Sequence, residues 1–248
     1  MSTCSFDLIA EEEIEAPTLI EGLPGHGLVA SIAVDRIASE LGLEPYGGIH
    51  ADEVPPVLSF SEGLVRDTVR VYAGRDPDVL TLHGDIMLPQ EFHRPFSRCV
   101  LQDLAERISR GIFLAAAPAQ SEKDHGEILG VATNDHMRAR LEDAGVALAP
   151  GDGLVGGITG ALVDECFQRD IPAALVLVRA DPHVPDPAAA RVVIDDALES
   201  LIGFDIDTEP LTEQAKQIQE RKAQIAQQLE EADGGTDTES PSVSGMFQ

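Results

Sequence analysis

With 248 residues, 43% of them hydrophobic and 25% charged, the chain can bury a sizeable core as a globular protein. Its 17 lysines and arginines face 44 carboxylates for a net charge of −27, and no basic cluster could neutralise phosphates, which excludes nucleic acid as a partner. No run of about 18 apolar residues occurs, which excludes a membrane-spanning helix.

Only Lys123, Lys216 and Lys222 are lysines, and so acidic a surface fits a cytoplasm rich in salt, where screening relieves self-repulsion. Cys4, Cys99 and Cys166 are far apart and form no C-x-x-C, so they read as reduced residues without a disulfide framework or a zinc site. The acidic stretch from Met1 to Pro17 lacks the basic and apolar regions of a secretion signal, and a cytoplasmic protein is expected.

Phe6 to Ala10 reads as a first strand and Glu11-Glu12-Glu13 as a solvated turn. Thr18 to Ile20 is a short buried strand. A turn follows at Gly22, Pro24, Gly25 and Gly27, and a helix then runs to Leu41, stopped by Gly42. This strand, glycine turn and helix open an α/β layered domain. Phosphate binding at the turn is poorly supported. The glycines run in the reverse order of the dinucleotide fingerprint, no Gly-Lys-Ser/Thr follows, and Glu21 adds a negative charge. The plainer reading is that the glycines fold the helix tightly onto the sheet.

Tyr46 to His50 reads as a strand, and Asp52 to Pro56 as an extended corner set by Pro55 and Pro56. Val57 to Phe60, Thr68 to Tyr72 and Val79 to His83 are three further strands. Pro95 to Arg110 is an amphipathic helix, and Ile112 to Ala116 and Ile128 to Ala132 are strands. Thr133 or Asn134 caps a helix through Ala144. Val155 to Gly160 forms a second glycine turn, with Gly157 and Gly160, feeding a helix from Ala161 to Gln168. Ala173 to Val178 is the most apolar strand and is expected at the sheet centre. Asp186-Pro187 starts a helix that runs to Ile202. Alternating strands and helices predict a mostly parallel or mixed sheet between helices, in one domain over residues 1–207.

A separate helix is predicted over 208–231. Leu211, Ala215, Ile218, Lys222, Ile225 and Leu229 are spaced 4, 3, 4, 3, 4, an apolar seam interrupted by Lys222. The seam can pack on its own domain or on another subunit. From Ala232 to Gly245 the chain is polar and poor in apolar residues, so 232–248 is expected to be a disordered tail ending in Met246, Phe247 and Gln248.

A search for chemistry finds no site. The seven histidines include no i, i+3 or i, i+4 pair, so no metal is expected. His26 in the first glycine turn would suit acid/base work but reads more plainly as polar surface. Thr159 lies at a strand-to-helix turn without the serine or spacing of a nucleophile elbow. Asp164 and Glu165 are adjacent on a helix and point apart. No catalytic residue and no cofactor is assigned.

Gly22-Leu-Pro-Gly-His-Gly-Leu-Val-Ala-Ser31 resembles the signature near the start of the archaeal proteasome assembly chaperone family. Glu40 to Leu43, His50 to Pro56, Gly130 to Thr133, Gly157 to Gly160, Pro185 to Pro187 and Gly203 to Leu211 resemble its later landmarks in order. The resemblance spans Phe6 to Leu229. It implies a three-layer α/β/α sandwich with a phosphorylase/hydrolase-like fold, and a non-enzymatic, homo-oligomeric chaperone, alone or with a paralogue. The implied partners are α-subunits of the proteasome core particle. With the acidic composition, a haloarchaeal source is expected. Met246-Phe247-Gln248 resembles the hydrophobic-tyrosine-any ending of such chaperones, with phenylalanine in the tyrosine place, and is expected to dock between α-subunits. The rival expectation is an enzyme on the same scaffold, acting on a nucleoside or phosphorylated small molecule at the Gly22 to Gly27 turn, with polar groups converging near His26, Asp52 or Thr159.

Overall fold

The computed structural model describes residues 4–9, 14–51 and 55–233. The strands are β1 (Cys4–Leu8), β2 (Thr18–Gly22), β3 (Glu44–Ala51), β4 (Ser59–Ser61), β5 (Leu64–Arg66), β6 (Val69–Gly74), β7 (Val79–Gly84), β8 (Arg110–Pro118), β9 (Ile128–Ala132) and β10 (Ala173–Ala180). The helices are α1 (Val29–Glu40), α2 (His93–Leu104), α3 (Asp135–Asp143), α4 (Gly157–Gln168), α5 (Pro187–Val193) and α6 (Glu209–Asp233). A π-helical segment, Ile194–Gly203, continues α5.

Eight strands form one mixed sheet in the order β1-β3-β6-β7-β2-β8-β10-β9. The inner run β7-β2-β8-β10 is parallel, and the flanking pairs are antiparallel. Side chains alternate across the inner strands, so each strand feeds two cores. Ile20, Ile112, Leu114 and Val176 face the layer of α1, α3, α5 and the π-helical segment. Leu19, Leu80, Phe113 and Leu175 face the layer of α2 and α4. The result is the α/β/α sandwich expected from the alternating elements.

Several boundaries differ from expectation, each for a local reason. Helix α2 ends at Leu104 rather than Arg110, although Ile108 stays buried and so prolongs the apolar stripe without helix. Helix α4 starts at Gly157, four residues early, so the second glycine turn is the helix's own first turn. Strand β10 is buried but lies second from the sheet edge, because β9 adds antiparallel beside it. Beyond Ser59–Ser61 the chain makes a second short strand, Leu64–Arg66, giving a separate two-stranded hairpin. Cys99 is disulfide-bonded, which corrects the reduced reading, while Cys166 is free and buried.

Two helix starts follow their caps as read. The Asn134 side chain accepts the Met137 N–H at 2.9 Å, and Asp186 accepts the Ala189 N–H at 3.0 Å.

Candidate functional site

In parallel α/β sheets the carboxyl ends of the strands are where ligands ordinarily sit. Here the turn after β2 is packed with the chain's own groups. A Cβ on Gly22 would lie 1.9 Å from the Val34 side chain of α1, and the Ser31 hydroxyl donates to the Gly22 carbonyl at 3.0 Å. Only glycine lets α1 lie this close to the strand end. Gly27 has φ of +60°, and a Cβ there would meet the Asp181 carbonyl at 2.8 Å. Its own carbonyl accepts the Asp186 N–H at 2.8 Å, so the turn is clamped to the loop after β10. Pro24 is half-buried, and Gly25 has open space around it.

Glu21 is fully buried beneath the turn. Its carboxyl receives the Leu23 N–H at 2.8 Å, the Leu114 N–H at 3.3 Å and the Thr159 hydroxyl at 3.3 Å. The Leu114 amide lies one residue past the last β2–β8 pair, so the carboxyl fills the gap where these strands part. Burial pushes Glu21 up from 4.5 to about 8, against the three hydrogen bonds, which favour the charged form. Thr159 is thereby committed to Glu21. His26 is exposed in a 3-10 turn, His26–Leu28, and Asp52 lies outside the described residues.

In α4, Gly160 is required by close approach, since a Cβ would meet the Val155 carbonyl at 2.3 Å; Gly157 is required by its φ of +76°. Pro55 is half-buried and accepts the Val57 N–H at 2.7 Å, and Pro56 is exposed.

Two polar clefts went unforeseen. The first, about 230 Å³, is lined by Gly22, Asp35, Tyr72, His83 and Asp85, among others. Asp35 Oδ1 lies 3.0 Å from His83 Nδ1, His83 Nε2 lies 2.8 Å from Thr81 Oγ1, and the Tyr72 and His83 rings meet edge-on at 4.8 Å. Burial opposes ionisation of Asp85, yet hydrogen bonds from Arg70 and Ser59, with the Arg70 and Arg66 charges, hold it below the usual carboxylate range. The sequence signal was the polar alternation Arg70, Tyr72 and Thr81, His83 on paired strands, but Asp35 comes from α1.

The second cleft, about 650 Å³, lies between the loop near His125, the loop from Asp181 to Pro187, and α6. His125 Nε2 sits 2.7 Å from Asp186 Oδ2, and Lys222 Nζ donates to Asp181 Oδ2 at 2.6 Å. That bond and the His183 N–H lower the Asp181 carboxyl. Ala215 and Ile218 line this cleft and Leu211 is buried in the core, so the first half of the seam faces its own chain. Ile225 and Leu229 lie on α6 outside the residues whose side chains are described, and Met246, Phe247 and Gln248 lie outside the described residues altogether. Among the described residues no group of three or more His, Cys, Asp or Glu is placed to hold a metal, and no helix is long and apolar enough to cross a membrane.

The mixed sheet between two helical layers, with its packed strand-end turn, defines an α/β/α sandwich protein of one recognisable class. The chain belongs to the PAC2 family, which matches residues 19–226. The crystal structure of Pyrococcus furiosus PbaA, described as an archaeal homolog of proteasome-assembly chaperone, superposes with a TM-score of 0.81 at 27% identity, covering 94% of this chain and 96% of that one. Pyrococcus furiosus PbaB, an archaeal proteasome activator, shares the fold with a TM-score of 0.81 at 20% identity over 90% and 98% of the two chains. An uncharacterised protein of Methanocaldococcus jannaschii is 25% identical over 220 residues, 88% of this chain and 89% of that one.

Proposed function

We propose that the chain is a non-enzymatic proteasome assembly chaperone or adaptor that binds α-subunits of the core particle in the cytoplasm. Its likeness to PbaA over 94% of its length carries the reading. The first glycine turn supports it, because Gly22 and Gly27 serve close packing on α1 and on the loop after β10. In this reading the chain acts as a homo-oligomer, or with a paralogue. Met246, Phe247 and Gln248 supply an aromatic anchor and a terminal carboxylate, and several tails on one oligomer raise the effective concentration. Deleting the three residues tests it in pull-downs of core particles in molar KCl. Binding should fall at least tenfold while the fold is kept; equal binding by the truncated chain would move the contact to the α/β body. The acidic surface suits a haloarchaeal cytoplasm, in which stability should rise between low and molar KCl; equal stability in both would remove that argument.

The Asp35–His83 pair in its cleft favours a second reading, a small-molecule enzyme. Under it, a nucleoside or nucleotide at about 100 times its dissociation constant should stabilise the fold by about 2.7 kcal/mol. No thermal shift across such a panel would set this reading aside.

A further inference from the structure

The β4–β5 hairpin has its faces reversed. Ser59 pairs with Arg66, and Phe60 with Val65, so alternation puts these two pairs on opposite faces. The Ser59–Arg66 face is fastened to the body. Ser59 donates to Asp85, Arg66 Nη2 lies 3.2 Å from Asp85 Oδ1, and Arg70 binds the same carboxylate at 2.5 Å. The other face carries Leu58, Phe60 and Val65, which are 70%, 66% and 70% exposed. A sheet normally turns its apolar face to the core and its polar face to water. Here the polar face is held inward by ion pairs and the apolar one is left open.

We propose that this outward face is a self-association surface that docks on the same face of a second copy of the chain. The three side chains leave on the order of 400 Å² of surface open, already the size of the largest patch on many monomers. Leu64 at the hairpin tip and Met87, two residues past the Asp85 anchor, are also exposed. Leu64 pairs with Ser61, so the same alternation puts it on the Ser59–Arg66 side rather than on this face. A twofold contact over Leu58, Phe60 and Val65 would bury on the order of 800 Å² in total, a small interface.

Charge permits this partner. The chain carries −27, yet residues 57–66 hold one acid, Glu62, and one base, Arg66. A second copy can therefore approach here without stacking carboxylate on carboxylate. The geometry suits a copy as well. Strands β4 and β5 pair only with each other among the described residues, so the hairpin offers open edges that an identical hairpin can meet about a twofold axis. The apolar seam of α6, by contrast, uses Leu211, Ala215 and Ile218 on its own chain.

The inference rests on the oligomer reading above but not on the tail. Light scattering of the full chain in molar KCl at micromolar concentration tests it, against the double variant Phe60→Asp/Val65→Asp and the milder Phe60→Ser/Val65→Ser. The wild type should weigh a multiple of 26.4 kDa, the Asp variant should fall to 26.4 kDa, and the Ser variant should dissociate at least tenfold more readily. Unchanged far-UV circular dichroism certifies that each variant is folded. A wild-type monomer overturns both this inference and the oligomer reading. A folded variant with wild-type mass overturns the hairpin contact alone. If such a variant keeps its mass but loses core particles, the face belongs to the proteasome and the inference is wrong. Loss of core-particle binding on tail deletion, with mass unchanged, leaves it standing.

Discussion

The strand-end turn and the β4–β5 hairpin treat polarity in opposite ways. At the turn, a carboxyl group is fully buried among apolar side chains and satisfied by three donors. At the hairpin, three large apolar groups are left to water while the charged groups are held inward. Burying an acid costs stability, and exposing an apolar face invites association. The difference teaches that a buried polar group is tied to the packing of the fold, while an exposed apolar face is free to meet a partner. Changes at the turn should therefore act on folding, and changes at the hairpin on assembly.

The largest effect on folding should come from Glu21. Its folded-state carboxyl titrates at about 8 against 4.5 ordinarily, so the folded chain holds a proton that the unfolded chain releases. Stability from this group is complete below pH 4.5 and is lost as pH rises through 8, at about 1.4 kcal/mol per pH unit. Across the window the loss is on the order of 5 kcal/mol, or roughly 15 °C in Tm for a chain of this size. Thermal melts from pH 5 to 8 should show that slope in the wild type and a flatter line for Glu21→Gln. Parallel lines would mean that Glu21 is charged in the fold and the turn is less dry than described.

Glycine substitutions should come next. Gly22→Ala forces a methyl group into Val34 and should cost about 2 kcal/mol by denaturant titration. Gly25→Ala, whose Cβ would meet nothing, should stay within about 0.5 kcal/mol. Equal effects would show that the tight contact with α1 does not define the turn. The smallest effect on folding belongs to the hairpin. Phe60→Ser should leave the unfolding free energy of the dilute chain within about 0.5 kcal/mol of wild type, because the side chain is already in water.

Much of the frame was legible because local chemistry writes it directly. Asn134 and Asp186 started their helices as caps should, and the apolar runs at Thr18, Ile112 and Ala173 became inner strands. What was hidden depends on contacts distant in sequence. The Asp35–His83 pair joins residues 48 apart, and Glu21 meets Thr159 across 138. Glu21 read as a charge at a turn because burial is set by α1, α4 and β8 together. Residues 57–60 gave a strand, but which face would turn outward depends on Asp85, which no periodicity reveals. The end of α2 was misplaced because Ile108 is buried without being helical. For the family motif, the glycines announced tightness correctly, while the groups they press against came from elsewhere in the chain.

Mixing the full-length chain with isolated proteasome α-subunits in molar KCl, and weighing the products by light scattering after size exclusion, tests the central claim most directly. The account predicts a joint species that contains both chains and disappears when Met246, Phe247 and Gln248 are removed. Separate elution of the full-length chain and the α-subunits at micromolar concentrations would contradict it.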